Sequence, residues 1–317
     1  MSKPLSVNIV IPTYNRADLI GPSIEAALNQ DYQDFKVTVV DDGSQDGTWQ
    51  VCEKFARHEN FQAIRLKKNV GTAQAKNAAI ALTNFDAITF HDSDDIPHPN
   101  KVRLQAEAMM SCRPIADAMM DWPMIGREVG TSMQTDVVVG AYDFFKQDGR
   151  TFRIANRISI VDDFFPHLQY PSQVEGDWCL INAGLFRKEI FCEYGGYLDS
   201  IEEDRELRNR LLGYGRIFYF VEEPLLKKYE MPDSLTVASQ TSFQSLKRRQ
   251  DRTIVQQRKQ EILKKFAGTI DSIDQKTPID LREIVIADLI RPENFKINNA
   301  IPTKGFYRRA EQLDKVS

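Results

Sequence analysis

Residues 1–120 alternate between short runs of apolar, mostly β-branched residues and stretches with a helical spacing of apolar positions. Each run has the length of a strand that is buried on both faces. The stretches between the runs place apolar side chains such as Ile20, Ile24 and Ala27 on one helical face. Strands that alternate with helices predict an α/β fold, with a mostly parallel sheet flanked by helices. The predicted strands are residues 7–11, 36–40, 63–66 and 87–90, and the third predicted helix is Thr72–Leu82.

The pattern is less regular after residue 122, where prolines and aromatic residues interrupt the apolar runs as far as residue 175. We interpret this part as an irregular insertion. Residues 243–266 have a helical spacing and many Lys and Arg, so they predict a helical C-terminal extension. The other predicted elements are strand-like segments at 136–139 and 152–160, a regular segment at 177–191, a helix at 203–212 and a strand at 217–221.

Composition and charge exclude several classes of protein. The 317 residues are 42% hydrophobic, which is enough to bury a sizeable core. The net charge of −4 argues against a nucleic acid partner, because no overall basic excess neutralises phosphates. The four cysteines lack a CxxC spacing, which indicates reduced thiols and not a disulfide framework or a zinc site. Without a signal peptide or an apolar run of about 20 residues, we expect a cytoplasmic protein.

Two groups of carboxylates follow predicted strands, at the edge where parallel sheets bind ligands. Asp92, Asp94 and Asp95 come directly after the fourth strand. Carboxylates this close repel one another unless a cation relieves them, and hard cations such as Mg²⁺ or Mn²⁺ prefer these ligands. Asp41 and Asp42 end the second strand, where a carboxylate can accept hydrogen bonds from a base or a ribose. Each group can also be a turn that caps the following helix.

Two more polar segments have both a functional and a structural interpretation. Residues 12–16 end the first strand, and there Tyr14 can stack on a base while Arg16 can bind a phosphate. The same residues can form an ordinary loop. Residues 202–206 begin a helix, and acidic side chains at this position are favoured by the helix dipole. One of these carboxylates can instead be a general base that takes a proton from a hydroxyl group.

Taken together and in this order, the segments resemble the family-2 glycosyltransferases, whose catalytic domain has the Rossmann-like A-type nucleotide-sugar fold. The resemblance extends over about residues 6–237. It implies a catalytic domain at 1–240, with a nucleotide-binding half at 1–122 and an acceptor-side half at 123–240, and a basic helical extension at 241–317. The segments that carry the resemblance are 10–16, 28–32, 39–48, 69–71, 75–80, 92–95, 195–199, 203–207 and 210–211.

The resemblance also implies a role for individual residues. Asp204 matches the catalytic base, and Asp94 and Asp95 match the ligands of a Mn²⁺ or Mg²⁺ ion. The sequence departs from the family at Lys76, where Arg is usual, and at His91, where an apolar residue is usual. It departs again at 229–234, which lacks the Arg and His of the family's pattern and leaves a third metal ligand open. The residues implied to bind the nucleotide are Pro12, Thr13, Tyr14, Arg16, Asp41, Asp42, Lys76, Asp92, Ser93 and Asp94.

The implied reaction is the inverting transfer of a sugar from a UDP-sugar to a hydroxyl of a saccharide or lipid-linked acceptor. Two alternatives are a nucleotidyltransferase and a non-catalytic protein that binds sugar nucleotides. Nucleotidyltransferases usually have a glycine-rich loop with a basic residue after the first strand, whereas this strand ends in Pro12-Thr13-Tyr14. No GxGxxG or GxxxxGK[ST] loop is present, which argues against dinucleotide oxidoreductases and P-loop enzymes.

The basic segment 247–265 contains eight Lys or Arg residues and two acidic ones. One interpretation is a solvated helix that packs weakly on the domain. The other is a contact with the inner face of the membrane, which would bring the enzyme to a lipid-linked acceptor. The sequence leaves a homo-oligomer open as well. The apolar residues expected to share one face of this helix are Phe243, Leu246, Ile254, Ile262 and Phe266.

Overall fold

Four parallel strands form one half of the main sheet in the computed structural model, and they confirm the four predicted strands. Their order is β3-β2-β1-β4, with β1 hydrogen-bonded to both β2 and β4. The strands are β1 (Val7–Thr13), β2 (Phe35–Asp41), β3 (Phe61–Leu66) and β4 (Ala87–Phe90). The structure describes residues 4–111, 135–155, 181–232 and 245–305, together with the paired strands β6 (Arg113–Pro114) and β7 (Ser132–Met133).

Helices cover both faces of this sheet, because alternate side chains of each strand point to opposite faces. On β1, Ile9 and Ile11 belong to the apolar core on one face, and Val10 belongs to the core on the other. The first core includes residues of α1 (Ile20–Leu28), α2 (Thr48–Lys54) and α4 (Lys101–Met110), and the second includes α3 (Thr72–Leu82). The predicted class, a Rossmann-like and mostly parallel sheet flanked by helices, is therefore confirmed.

The other half of the sheet is longer than the sequence predicts. β10 runs antiparallel to both β4 and β8, and β11 runs parallel to β8. The predicted strand at 217–221 is too short, because register shifts on either side of Pro224 interrupt the pairing before it resumes. The strands are β5 (Ile96–Pro97), β8 (Val137–Phe145), β9 (Thr151–Ile154), β10 (Leu185–Arg187) and β11 (Phe218–Tyr229).

The predicted helices at 203–212 and 243–266 are confirmed as α6 (Glu203–Gly213) and α7 (Leu246–Phe266), and α5 (Lys188–Tyr194) precedes them. After α7 the chain returns to the main sheet, where β13 (Ile286–Ile290) pairs antiparallel with β3. β12 (Ile279–Asp280) and β14 (Thr303–Lys304) pair with each other. Cys52 and Cys192 are free thiols. Phe243, residues 156–180, Cys112 and Cys179 lie outside the described residues.

The prediction of one apolar face on α7 is wrong. Ile262 is fully buried, whereas Leu246 is 72% exposed and Ile254 is 44% exposed. Basic residues of the helix also contact the domain. Arg248 and Arg252 contact Glu202 at 3.0 and 3.2 Å, and Arg258 contacts Glu206 at 2.7 Å. Among the described helices, none is long and apolar enough to cross a bilayer.

Candidate active site

Polar residues from both halves of the sheet meet at one edge. β1, β2, β4 and β11 run in the same direction, because β10 is antiparallel to both β4 and β8. Thr13 and Asp41 end β1 and β2, Asp92 lies just beyond β4, and Lys228 lies near the end of β11. In parallel sheets, this carboxyl edge is where ligands bind.

The acidic cluster consists of Asp92, Asp94 and Asp95. One carboxylate oxygen from each lies within 4.8 Å of the others, which fits the oxygen ligands of a divalent cation. Asp95 is only 1% exposed, and burial raises the pKa of its carboxyl group, whereas a neighbouring lysine ammonium opposes this shift. Ser93, between these carboxylates in the sequence, is buried. The sequence therefore predicted the grouping of these side chains correctly, and it left their partner open.

That partner is Lys228, which sequence reasoning missed. Its Nζ donates to Asp92 Oδ2 at 3.0 Å and to Asp95 Oδ2 at 3.1 Å. The signal in the sequence is its place directly before the segment 229–234, where the resemblance leaves a third metal ligand open. Because β11 continues past Pro224, Lys228 reaches the carboxyl edge of the sheet, beside the carboxylates that follow β4.

Asp41 and Asp42 hold the loops at the ends of β1, β2 and β3. Asp41 is fully buried and accepts from the backbone N–H of Ser44 at 2.9 Å. Both carboxylate oxygens of Asp42 accept backbone N–H groups, from Val70 and Gly71, each at 2.8 Å. Burial raises the pKa of Asp42 to about 6. Asp42 thus fixes the loop before α3. A ligand that binds Asp42 would share the carboxylate oxygens with these two backbone N–H groups.

The loop after β1 is shaped by backbone contacts to the loop after β2. Asn15 has a φ of 50°, and its N–H donates to Ser44 Oγ at 2.9 Å. The Arg16 N–H donates to Thr48 Oγ1 at 2.8 Å. These bonds leave Tyr14 exposed at the edge of the sheet, where its ring is accessible to a base. Pro12 and Thr13 are buried, and Thr13 Oγ1 has no hydrogen-bond partner among the described residues.

Lys76 contacts residues of the other half of the molecule. Its Nζ is buried and donates to Asn182 Oδ1 at 2.8 Å and to Glu203 Oε1 at 3.0 Å. The ammonium also lies 4.9 Å from the centre of the Tyr197 ring. Burial raises the pKa of Glu203 to about 7, and the Lys76 charge opposes this shift. Lys76 therefore joins α3 to α6, and its charge has a protein partner.

Asp204 is half-buried in the first turn of α6, beside Glu203. Its Oδ1 accepts the backbone N–H of Arg205 at 2.7 Å. The hydroxyl of Tyr197 is buried and has no hydrogen-bond partner among the described residues. Burial raises the Tyr197 pKa well above its usual value, and the nearby charges of Glu203, Asp204 and Asp92 raise it further. The charges of Asp92 and of the start of α6 thus act on the same tyrosine.

Comparison with known proteins finds a matching family and similar sequences. Residues 8–189 match the family described as Glycosyl transferase family 2. The glycosyltransferase GlyG of Streptococcus pneumoniae serotype 4 is 35% identical over 196 residues, which are 59% of this chain and 58% of GlyG. A chondroitin synthase of Pasteurella multocida is 36% identical over 110 residues, which are 35% of this chain and 11% of that enzyme. The chain therefore matches less than two thirds of the length of these relatives.

A solved structure shares the fold. The crystal structure of S. aureus TarS 1–349, determined in complex with UDP, is similar with a TM-score of 0.50. The similarity covers 82% of this chain and 72% of that one, at 18% sequence identity. At this level of identity, the comparison concerns the arrangement of strands and helices alone.

Proposed function

Since more than half of the chain matches one family, the protein belongs to glycosyl transferase family 2, and we propose that it is an inverting, A-type enzyme. In this proposal it transfers a sugar from a UDP-sugar to a hydroxyl of a saccharide or lipid-linked acceptor. The observation that carries the proposal is the grouping of Asp92, Asp94 and Asp95 just beyond β4, at the carboxyl edge of the parallel strands. The family match argues against a nucleotidyltransferase.

The carboxyl edge of the parallel strands is the proposed donor site. Tyr14 is exposed there and would stack on the base. The loop that Asp42 fixes would contact the ribose and base. Arg16 would contact the phosphates, and Pro12, Thr13 and Asp41 would hold this loop in place. Asp94 and Asp95, with Asp92 beside them, would hold a Mn²⁺ or Mg²⁺ ion, which would supply positive charge to stabilise the departing diphosphate.

Asp204 is the proposed general base. Its carboxylate would accept the proton of the acceptor hydroxyl while the hydroxyl oxygen forms a bond to the anomeric carbon. The bond between that carbon and the phosphate oxygen breaks at the same time, and UDP leaves with the electron pair. A single displacement inverts the configuration at the anomeric carbon. Glu203 is held by Lys76, so Asp204 is the carboxylate of this pair assigned to the proton transfer.

A donor screen tests this proposal. The protein is incubated with a panel of UDP-sugars and GDP-sugars, and the released nucleoside diphosphate is measured with Mn²⁺, with Mg²⁺ and with EDTA. We expect one UDP-sugar to release UDP with Mn²⁺, and no release in EDTA. Asp95→Asn should remove the activity, and Asp34→Asn, at an exposed carboxylate at the opposite edge of the sheet, should retain it. Full release in EDTA by both wild type and Asp95→Asn would refute the role of the metal.

A further inference from the structure

Lys228 occupies a position in the acidic cluster that the proposed reaction does not explain. Its ammonium lies 3.0 Å from Asp92 Oδ2 and 3.1 Å from Asp95 Oδ2. These carboxylates belong to the group that fits a divalent cation. An ammonium group and a divalent cation are attracted to the same oxygens and repel each other. The ammonium and the divalent cation therefore weaken each other's binding to Asp92 and Asp95.

We propose that Lys228 is an internal cation that competes with the divalent metal ion for Asp92 and Asp95. This inference rests on the proposed function, because it takes the acidic cluster to be the metal site. In the donor-free protein, Lys228 compensates part of the negative charge of the cluster. It matters most for Asp95, which is 1% exposed and would otherwise be a buried charge without a partner.

The geometry of Lys228 allows it to exchange partners. It lies one residue before the end of β11, and its side chain is 25% exposed. A lysine ammonium sits on a flexible four-carbon stem, so it can leave the carboxylates without a change in the strand. After it leaves, it remains beside the cluster, where the diphosphate of the donor brings negative charge. Lys228 thereby lowers the metal affinity of the empty site and favours joint binding of metal and donor.

Direct Mn²⁺ binding tests this inference without any measurement of activity. The free Mn²⁺ signal in electron paramagnetic resonance gives the dissociation constant of the donor-free protein. Lys228→Met keeps the length of the side chain and removes its charge, so we expect it to bind Mn²⁺ at least about tenfold more tightly than wild type. Lys227→Met is the matched control, because the alternation of a strand directs the Lys227 side chain to the opposite face. Its Mn²⁺ affinity should stay within about twofold of wild type.

A second measurement, of the melting temperature, takes account of the stability that Lys228→Met loses. Lys228→Met leaves Asp95 without its ammonium, so its melting temperature in EDTA should fall, and saturating Mn²⁺ should raise it more than it raises that of wild type. Lys228→Gln, also neutral, carries the same expectation. Equal Mn²⁺ affinities in wild type and both variants, with UDP binding intact, would refute the competition between Lys228 and the metal ion and would leave the proposed function standing. A wild-type protein that binds neither UDP nor Mn²⁺ would refute the proposed function, and this inference with it.

Discussion

Lys76 of α3 and Glu203 of α6 form a buried ion pair with an N–O distance of 3.0 Å, although 127 positions separate them in the chain. The pair joins the half of the molecule that contains β1–β4 to the half that contains the proposed base. The arginine that resembling enzymes carry at this position would have a planar, forked group in place of a point charge. In this chain the lysine fits between Asn182, Glu203 and the ring of Tyr197.

Removal of one partner of this pair should be costly. Lys76→Met leaves the buried Glu203 carboxylate unpaired. Glu203→Gln leaves the buried Lys76 ammonium without a carboxylate, although Asn182 still accepts from it. Each should lower the free energy of unfolding by about 3–5 kcal/mol. The double variant should lose clearly less than the sum of the two, because it removes both charges. Urea denaturation of the four proteins measures this, and additive losses would show that the two charges do not interact.

The turn at Gly43 gives a second prediction. Gly43 has a φ of +73°, and a Cβ there would lie 2.6 Å from the backbone carbon of Lys68. Gly43→Ala should therefore cost at least about 3 kcal/mol, from the left-handed conformation and from overpacking together. Gly215→Ala is the matched control, with a φ of +70° and no described atom within 4 Å of the added Cβ. It should cost only about 1–2 kcal/mol, and equal losses in the two variants would contradict the close approach.

Two isoleucines of α7 distinguish attachment to the domain from a role at a membrane. Ile262 is fully buried and its side chain lies against Gly213, whereas Ile254 is 44% exposed. Ile262→Ala should lower the free energy of unfolding by about 2–5 kcal/mol, and Ile254→Ala by about 0.5 kcal/mol or less. Chemical denaturation checks both values. If Ile254→Ala weakened sedimentation with anionic vesicles and Ile262→Ala did not, this result would support a contact with the membrane.

The sequence predicted those parts of the fold and of the site that depend on residues close together in the sequence. β1–β4 were recognisable because each contains a short and largely apolar run. Asp92, Asp94 and Asp95 were recognisable because they follow such a run. In α7, the basic composition and helical spacing predicted the helix itself. Each of these features depends on about ten consecutive residues, so the spacing of apolar and polar residues in one sequence is sufficient to find it.

Contacts between distant segments could not be predicted in the same way. Lys228 lies beyond Pro224 in a strand whose pairing shifts register, so its place beside Asp95 depends on how β11 aligns with β8. The role of Asp42 in fixing Val70 and Gly71, and the docking of Arg258 on Glu206, likewise depend on packing. No local pattern encodes these distances, because they are set by the assembly of the whole sheet and its helices.

The role of Asp204 is the central claim, and Asp204→Asn tests it. Asn has nearly the same shape and its Oδ1 can still accept the Arg205 N–H, so the start of α6 should be preserved. Asn cannot take a proton from the acceptor. Glu203→Gln is not a neutral comparison, because Glu203 pairs with Lys76. Asp199→Asn, at an exposed carboxylate shortly before α6, is the control for the loss of one negative charge.

The decisive measurement is the turnover number for sugar transfer in Asp204→Asn, once the donor screen has identified the donor and an acceptor. General-base catalysis contributes about 10²–10⁴-fold, so turnover should fall by that factor while UDP affinity and melting temperature barely change. Asp199→Asn should remain as active as wild type. Wild-type turnover in Asp204→Asn, with a lowered melting temperature, would show that Asp204 only stabilises the helix and would contradict the proposed mechanism.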